Sequence, residues 1–75
     1  MARIDPQTIN KRLEKALMQA RKEAGLTQID VAKRFKKPQS FVSKYETGER
    51  KLTVGDFLAV CEALNIDPIA LLSHL

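Results

Sequence analysis

Apolar residues recur three and four positions apart along most of the chain, the spacing of helices that bury one face. Over residues 6–24 this spacing predicts a first amphipathic helix. Its apolar positions are Ile9, Leu13, Ala16, Leu17, Ala20 and Ala24. Asp5-Pro6 supplies an N-cap and a first-turn proline, and Gly25 suits the left-handed residue that follows a helix.

Two short helices follow, separated by a proline. We expect Thr27 to cap the second helix. The apolar positions of that helix are Ile29, Val31, Ala32 and Phe35. Pro38 enforces a break, because the residue before a proline is disfavoured in helical conformation. The third helix has the apolar positions Phe41, Val42 and Tyr45 and ends at Thr47-Gly48.

Two further helices complete the pattern. Thr53, with Asp56 three residues later, forms an imperfect capping box at the start of the fourth helix. The apolar positions there are Val54, Phe57, Leu58, Cys61 and Leu64. Asn65 can end this helix, and Asp67-Pro68 opens a fifth that reaches Leu72. No strand alternation occurs, so residues 1–75 predict one all-α domain of five helices.

Charge is distributed unevenly along the chain. Lys and Arg number 13 against 9 Asp and Glu, a formal net charge of +4. All 13 basic residues lie within residues 1–51, whereas residues 52–75 contain three acidic residues and no basic one. Such a basic part favours a polyanionic partner, with nucleic acid as the leading candidate. A basic surface that serves only solubility is the alternative.

Several functional classes find no support. Cys61 and His74 are the single cysteine and histidine, so we expect neither a disulfide within the chain nor a metal site, with Cys61 in the core. Paired carboxylates, activated nucleophiles and glycine-rich phosphate loops are missing, so we expect no catalytic residues and no cofactor. Without a membrane span or signal-peptide pattern, the sequence predicts a cytoplasmic protein. A separate ligand-sensing domain and a small-molecule ligand are not expected either.

The second and third predicted helices, at about residues 27–47, have the spacing of a helix-turn-helix. In that motif the later helix enters the major groove of DNA. If Val42 and Tyr45 face the core, the outward face of the third helix carries Gln39, Ser40, Ser43 and Lys44. Gln can pair with adenine, Lys with guanine and Ser with either base. A merely solvated polar face is the alternative.

Phosphate contacts are predicted at both ends of this motif. The start of the second helix exposes the backbone N–H groups of Thr27, Gln28 and Ile29, which can bind an anion. Arg50 and Lys51, just past the third helix, could reach the other side of the DNA backbone. Lys36 and Lys37 are weaker candidates. Such contacts position a domain without reading sequence.

The chain resembles the lambda-repressor/Cro-like family, also called the XRE type. The resemblance lies in Leu-Thr-Gln at 26–28, Gln-Ser at 39–40, Val-Ser-Lys at 42–44 and Glu-x-Gly at 46–48. It extends over about residues 13–72. It implies a compact five-helix DNA-binding domain, usually dimeric and usually a transcriptional repressor.

The resemblance also implies roles for individual positions. Those matching Gln39, Ser40 and Lys44 contact base edges. The position matching Gln28 contacts a phosphate and braces the first recognition glutamine. Those matching Arg21 and Glu46 form a partly buried ion pair between the first and third helices.

Two positions in the helix-turn-helix need separate treatment. The family often has glycine where this chain has Lys36, which in a left-handed conformation would carry roughly 1 kcal/mol of strain. Phe41 has three possible roles: contact with a thymine methyl, a place at the domain edge, or a place in the core.

The predicted function is that of a sequence-specific regulator of transcription that binds double-stranded DNA. We expect a repressor that acts as a homodimer on a palindromic operator, because one recognition helix reads few base pairs. The expected dimer surface is the apolar tail of Ile66, Ile69, Leu71, Leu72 and Leu75. The alternatives are an antitoxin with a toxin protein as partner, a restriction–modification controller, and a pure protein-interaction module.

Overall fold

The five predicted helices are all present in the computed structural model, which describes residues 3–75. They are α1 (Pro6–Glu23), α2 (Gln28–Arg34), α3 (Gln39–Thr47), α4 (Val54–Leu64) and α5 (Pro68–Leu72). Within this range no strand forms. α2 packs most extensively on α3, while α1 crosses both α3 and α4. The all-α prediction is therefore confirmed.

Side-chain caps begin four of the helices at the predicted residues. The carboxylates of Asp5 and Asp67 and the hydroxyl of Thr53 each accept a hydrogen bond from a first-turn N–H. At α2 the cap is a full capping box: Thr27 Oγ1 accepts from the Asp30 N–H, and the Asp30 carboxylate accepts from the Thr27 N–H. The hydrogen bond that the Thr27 N–H donates to the Asp30 carboxylate lowers the pKa of Asp30 below its ordinary value.

Left-handed residues end the helices where the sequence predicts a stop. Gly25 has a φ of 73°, Gly48 of 85° and Asn65 of 57°. Lys36 also has a positive φ, 61°, so it adopts the left-handed conformation in which a lysine carries strain. The turn therefore keeps its geometry without the glycine that the family often places there.

The core lies where α1 to α4 meet. Its buried residues are Leu17, Val31, Ala32, Phe41, Val42, Tyr45, Phe57, Val60, Cys61, Ala63 and Leu64. Cys61 is 1% exposed, as predicted for a small core residue, and burial raises the pKa of its thiol. His74 is exposed.

Three large apolar side chains of α2 and α4 that belong to the helical pattern are exposed. Ile29 is 54% exposed, Val54 76% and Leu58 49%. α4 turns Phe57, Val60 and Cys61 inward instead, and Val54 and Leu58, one turn apart, share its outer side.

The apolar tail also divides into inner and outer residues. Ile66 and Leu71 pack against the core, whereas Ile69 is 76% and Leu72 49% exposed. The predicted dimer surface is thus reduced to Ile69, Leu72 and the half-buried Leu75. None of the helices in residues 3–75 has the length and apolar character needed to cross a membrane.

Candidate nucleic-acid interface

α3 separates apolar from polar side chains along its length. Val42 and Tyr45 are fully buried beneath it. On the opposite side Gln39, Ser40 and Lys44 are exposed and Ser43 is half-buried. Gln39 and Ser43 lie four residues apart, as do Ser40 and Lys44, so each pair shares one side of the helix and the four side chains form a single outward polar face.

A chain of hydrogen bonds holds Gln39 from below. Gln39 Nε2 donates to Gln28 Oε1 over 2.6 Å, and Gln28 Nε2 donates to Glu46 Oε1 over 3.0 Å. Arg21 Nε donates to Glu46 Oε2 over 2.7 Å and Arg21 Nη1 to the Leu26 carbonyl over 2.9 Å. The brace on Gln39 and the ion pair between α1 and α3, both implied by the family resemblance, are present.

The ion pair at the base of this chain is largely withdrawn from solvent. The side chain of Arg21 is 11% exposed and that of Glu46 3% exposed. The hydrogen bond to Glu46 raises the pKa of Arg21, so the guanidinium stays charged. Removing one partner of such a pair costs about 3–5 kcal/mol, because the other charge is left buried. The pair therefore holds α3 in place against α1.

The N-terminus of α2 differs from the prediction. The Thr27 N–H is bonded to the Asp30 carboxylate at 2.9 Å and is not free for an anion. The N–H groups of Gln28 and Ile29 remain as candidates at this helix end. Sequence reasoning missed Asp30, although the Thr-x-x-Asp spacing of a capping box is its signal.

Phe41 lies in the core, and two cationic side chains lie over its ring. It is 7% exposed and packs edge-on against Phe35 and Tyr45. The guanidinium carbon of Arg50 lies 4.5 Å from its ring centroid, and Lys37 Nζ lies 5.5 Å from it. Both distances are in the range of cation–π attraction. Of the three roles open for Phe41, the core role is the one observed.

The two basic residues beyond α3 have different surroundings. Arg50 is exposed and stacked on Phe41, whereas Lys51 Nζ lies 3.4 Å from Glu14 Oε2 on α1. The Lys51 side chain is still 57% exposed. No local sequence signal pairs Lys51 with Glu14, since the two lie 37 positions apart.

These features define a helix-turn-helix protein, and the chain belongs to that family: the family profile matches residues 17–71. Its structure is similar to that of an XRE-family like protein from Pseudomonas syringae pv. tomato str. DC3000. The two share 44% sequence identity and a TM-score of 0.87, over 91% of this chain and 83% of that chain. The chain is therefore of the XRE type. No curated protein matches it.

The fold is also similar to that of the restriction-modification controller protein C.Esp1396I. The TM-score is 0.83 at 20% identity, over 88% of this chain and 87% of that chain. The same values hold for the structure of that controller as a tetramer in complex with its natural 35 base-pair operator. At this identity the likeness concerns the fold alone.

Proposed function

We propose that this protein is a sequence-specific regulator of transcription that binds double-stranded DNA through α3. The observation that carries the proposal is the outward polar face of α3, whose first residue, Gln39, is held by Gln28 at 2.6 Å. A fixed glutamine amide on an exposed helix is suited to pair with a base edge in the major groove. A solvated surface glutamine has no need of such a brace.

Four side chains are proposed to read bases and four to contact phosphates. The readers are Gln39, Ser40, Ser43 and Lys44. The phosphate contacts are Thr27, Gln28, Arg50 and Lys51. For Thr27 the hydroxyl, not the N–H, is the group to consider, because the N–H is bonded to Asp30. The Phe41 ring holds the Arg50 guanidinium while its N–H groups stay free for a phosphate.

The regulator is proposed to act as a homodimer on a palindromic operator. An apolar groove is formed by α1, the start of α4 with the residues before it, and the end of α5; its lining is Leu13, Leu52, Thr53, Val54, Phe57, Leu58 and Leu72. It belongs largely to the part of the chain that lacks basic residues, which is poorly suited to face phosphate. Burying it against a second copy would leave both α3 helices free for successive major grooves.

Repression follows as the proposed mode of action, since a bound dimer of this size occupies DNA that polymerase needs. Such a regulator would work in the cytoplasm. If the protein is instead an antitoxin, its toxin partner should co-purify with it. If it is a restriction–modification controller that activates, transcription from an operator-bearing promoter should increase.

Selection of bound duplexes from a random pool tests the proposal. We expect enrichment of a palindromic site whose half-sites lie about one helical turn apart, roughly 34–36 Å. Gln39→Ala selected in parallel should lose preference at one base pair of each half-site. A pool with no enriched sequence after selection by the wild type contradicts the proposal.

A further inference from the structure

The hydrogen-bond chain beneath Gln39 can run in one direction only. Arg21 has donors and no acceptor, while the ionised Glu46 carboxylate has acceptors and no donor. Glu46 Oε1 lies 3.0 Å from the Gln28 amide, so Gln28 must turn its NH₂ group toward Glu46. The Gln28 oxygen then faces Gln39, so Gln39 must donate from its own NH₂ group. The distance from Gln39 Nε2 to Gln28 Oε1 is 2.6 Å.

This direction determines what Gln39 can offer to DNA. With one N–H engaged by Gln28, the Gln39 amide retains its oxygen and one N–H. Adenine presents a donor, N6–H₂, beside an acceptor, N7, and so complements that pair of groups. Guanine presents two acceptors, O6 and N7, and its O6 would meet the amide oxygen.

We infer that Glu46, which lies in the domain interior, sets the preference of Gln39 for adenine over guanine. Its side chain is 3% exposed and cannot reach a base, so Glu46 is a positioning residue that acts through Gln28. The inference rests on the proposed function, since it assigns a base to a DNA-reading helix.

A single substitution should reverse the chain. In Glu46→Gln, Arg21 still needs a hydrogen-bond acceptor. In the wild type, Arg21 Nε lies 2.7 Å from Glu46 Oε2, whereas Arg21 Nη2 lies 3.2 Å from Glu46 Oε1, so the Oε2 position is the closer of the two. The new amide oxygen therefore takes the Oε2 position, and its NH₂ group faces Gln28. Gln28 must then turn its oxygen inward and its NH₂ group toward Gln39, whose oxygen accepts. Gln39 is left with two N–H donors, which match the two acceptors of guanine.

The test compares two duplexes for each variant. One carries the selected site, and in the other the adenine at the base pair affected by Gln39→Ala is replaced by guanine in both half-sites. The readout is the ratio of the two dissociation constants. This ratio is insensitive to the folded fraction of a variant, because both duplexes are titrated with the same preparation.

We expect the wild type to favour adenine by about tenfold or more, as for a good paired contact. Glu46→Gln should bring the ratio to within about threefold of unity or invert it. Arg21→Lys is the matched control: it weakens the same ion pair but keeps the carboxylate, so both duplexes bind less tightly while the ratio stays. Gln28→Met interrupts the chain without touching the ion pair and should relax the ratio toward unity.

The outcomes separate this inference from the proposed function. Sequence-specific binding with an unchanged ratio in Glu46→Gln and Gln28→Met overturns the inference and leaves the proposed function standing. A site in which Gln39→Ala affects no adenine also overturns it. Should Glu46→Gln fail to fold, Gln28→Met alone decides. Absence of any sequence preference in the wild type instead refutes the proposed function itself.

Discussion

The guanidinium of Arg50 is stacked on the ring of Phe41, 4.5 Å from its centroid. The ring belongs to the core, and Arg50 follows α3 in a short loop, so the ring holds a flexible cation next to α3. Stacking occupies the face of a guanidinium and leaves the N–H groups at its edge available. A buried aromatic side chain thereby prepares the phosphate contact that we propose for Arg50.

Arg50→Ala and Gln39→Ala should weaken DNA binding in different ways. Arg50→Ala should weaken binding to selected and scrambled duplexes alike and reduce the log–log salt slope by about one unit, since one phosphate contact is lost. Gln39→Ala should cost about 1–3 kcal/mol on the selected duplex alone. Titrations at several salt concentrations measure both effects. If Gln39→Ala loses the same affinity for the two duplexes, Gln39 is not a residue that reads a base.

Lys36→Gly should leave stability nearly unchanged and retain DNA binding. Lys36 has a φ of 61°, so glycine relieves strain, but it also increases the freedom of the unfolded chain, and the two effects nearly cancel. Gly25→Ala is the contrasting variant: its φ is 73° with no atom within 4 Å of an added Cβ, so backbone strain alone acts. We expect that variant to lose about 1 kcal/mol. Thermal unfolding of both measures this, and a clear fall in melting temperature for Lys36→Gly would mean that the lysine makes a stabilising contact.

Tyr45→Phe should stabilise the domain. Tyr45 is fully buried, and among residues 3–75 no group forms a hydrogen bond with its hydroxyl. Burial also raises the pKa of this phenol. An unpaired buried polar group costs about 1–3 kcal/mol, so its removal should raise the melting temperature by about 4 °C or more in a domain of this size. A lower melting temperature for Tyr45→Phe would show that the hydroxyl has a partner in solution.

Leu72→Asp should shift the protein toward the monomer. Leu72 is 49% exposed and lines the apolar groove that α1, α4 and α5 form, so a carboxylate there opposes burial against a second copy while the core stays intact. Ala70→Asp, on the other side of α5, is the matched control and should leave association unchanged. Sedimentation of the three proteins at micromolar concentration measures the effect. A wild-type monomer that binds a single half-site refutes the dimer.

The sequence predicts the helix ends well because their signals are local. Asp5, Thr27, Thr53 and Asp67 each cap a helix through atoms two or three residues away. Contacts between distant segments carry no such signal. Lys51 with Glu14 and Arg12 with the Leu75 carbonyl are brought together by the packing of α1 and are visible in the structure alone.

The candidate site shows the same division. The outward face of α3 follows from helical spacing once Val42 and Tyr45 are placed inside. The link from Gln28 to Gln39 and the pair of Arg21 with Glu46 were implied by family resemblance, not by spacing. Their connection through the Gln28–Glu46 bond at 3.0 Å, which makes one continuous chain, required coordinates. Exposure of Val54 and Leu58 was equally beyond the apolar pattern, which does not say which side of a short helix faces the core.

The central claim is that α3 reads a DNA sequence, and the affinity of the wild type for its selected duplex and a scrambled duplex tests it most directly. The measurement is a fluorescence anisotropy titration of each duplex at near-physiological salt. The account predicts a preference of about a thousandfold or more for the selected duplex. It also predicts that binding to both duplexes weakens as salt is raised, because phosphate contacts contribute to each. Equal affinity for the two duplexes would contradict the account, whatever the strength of binding.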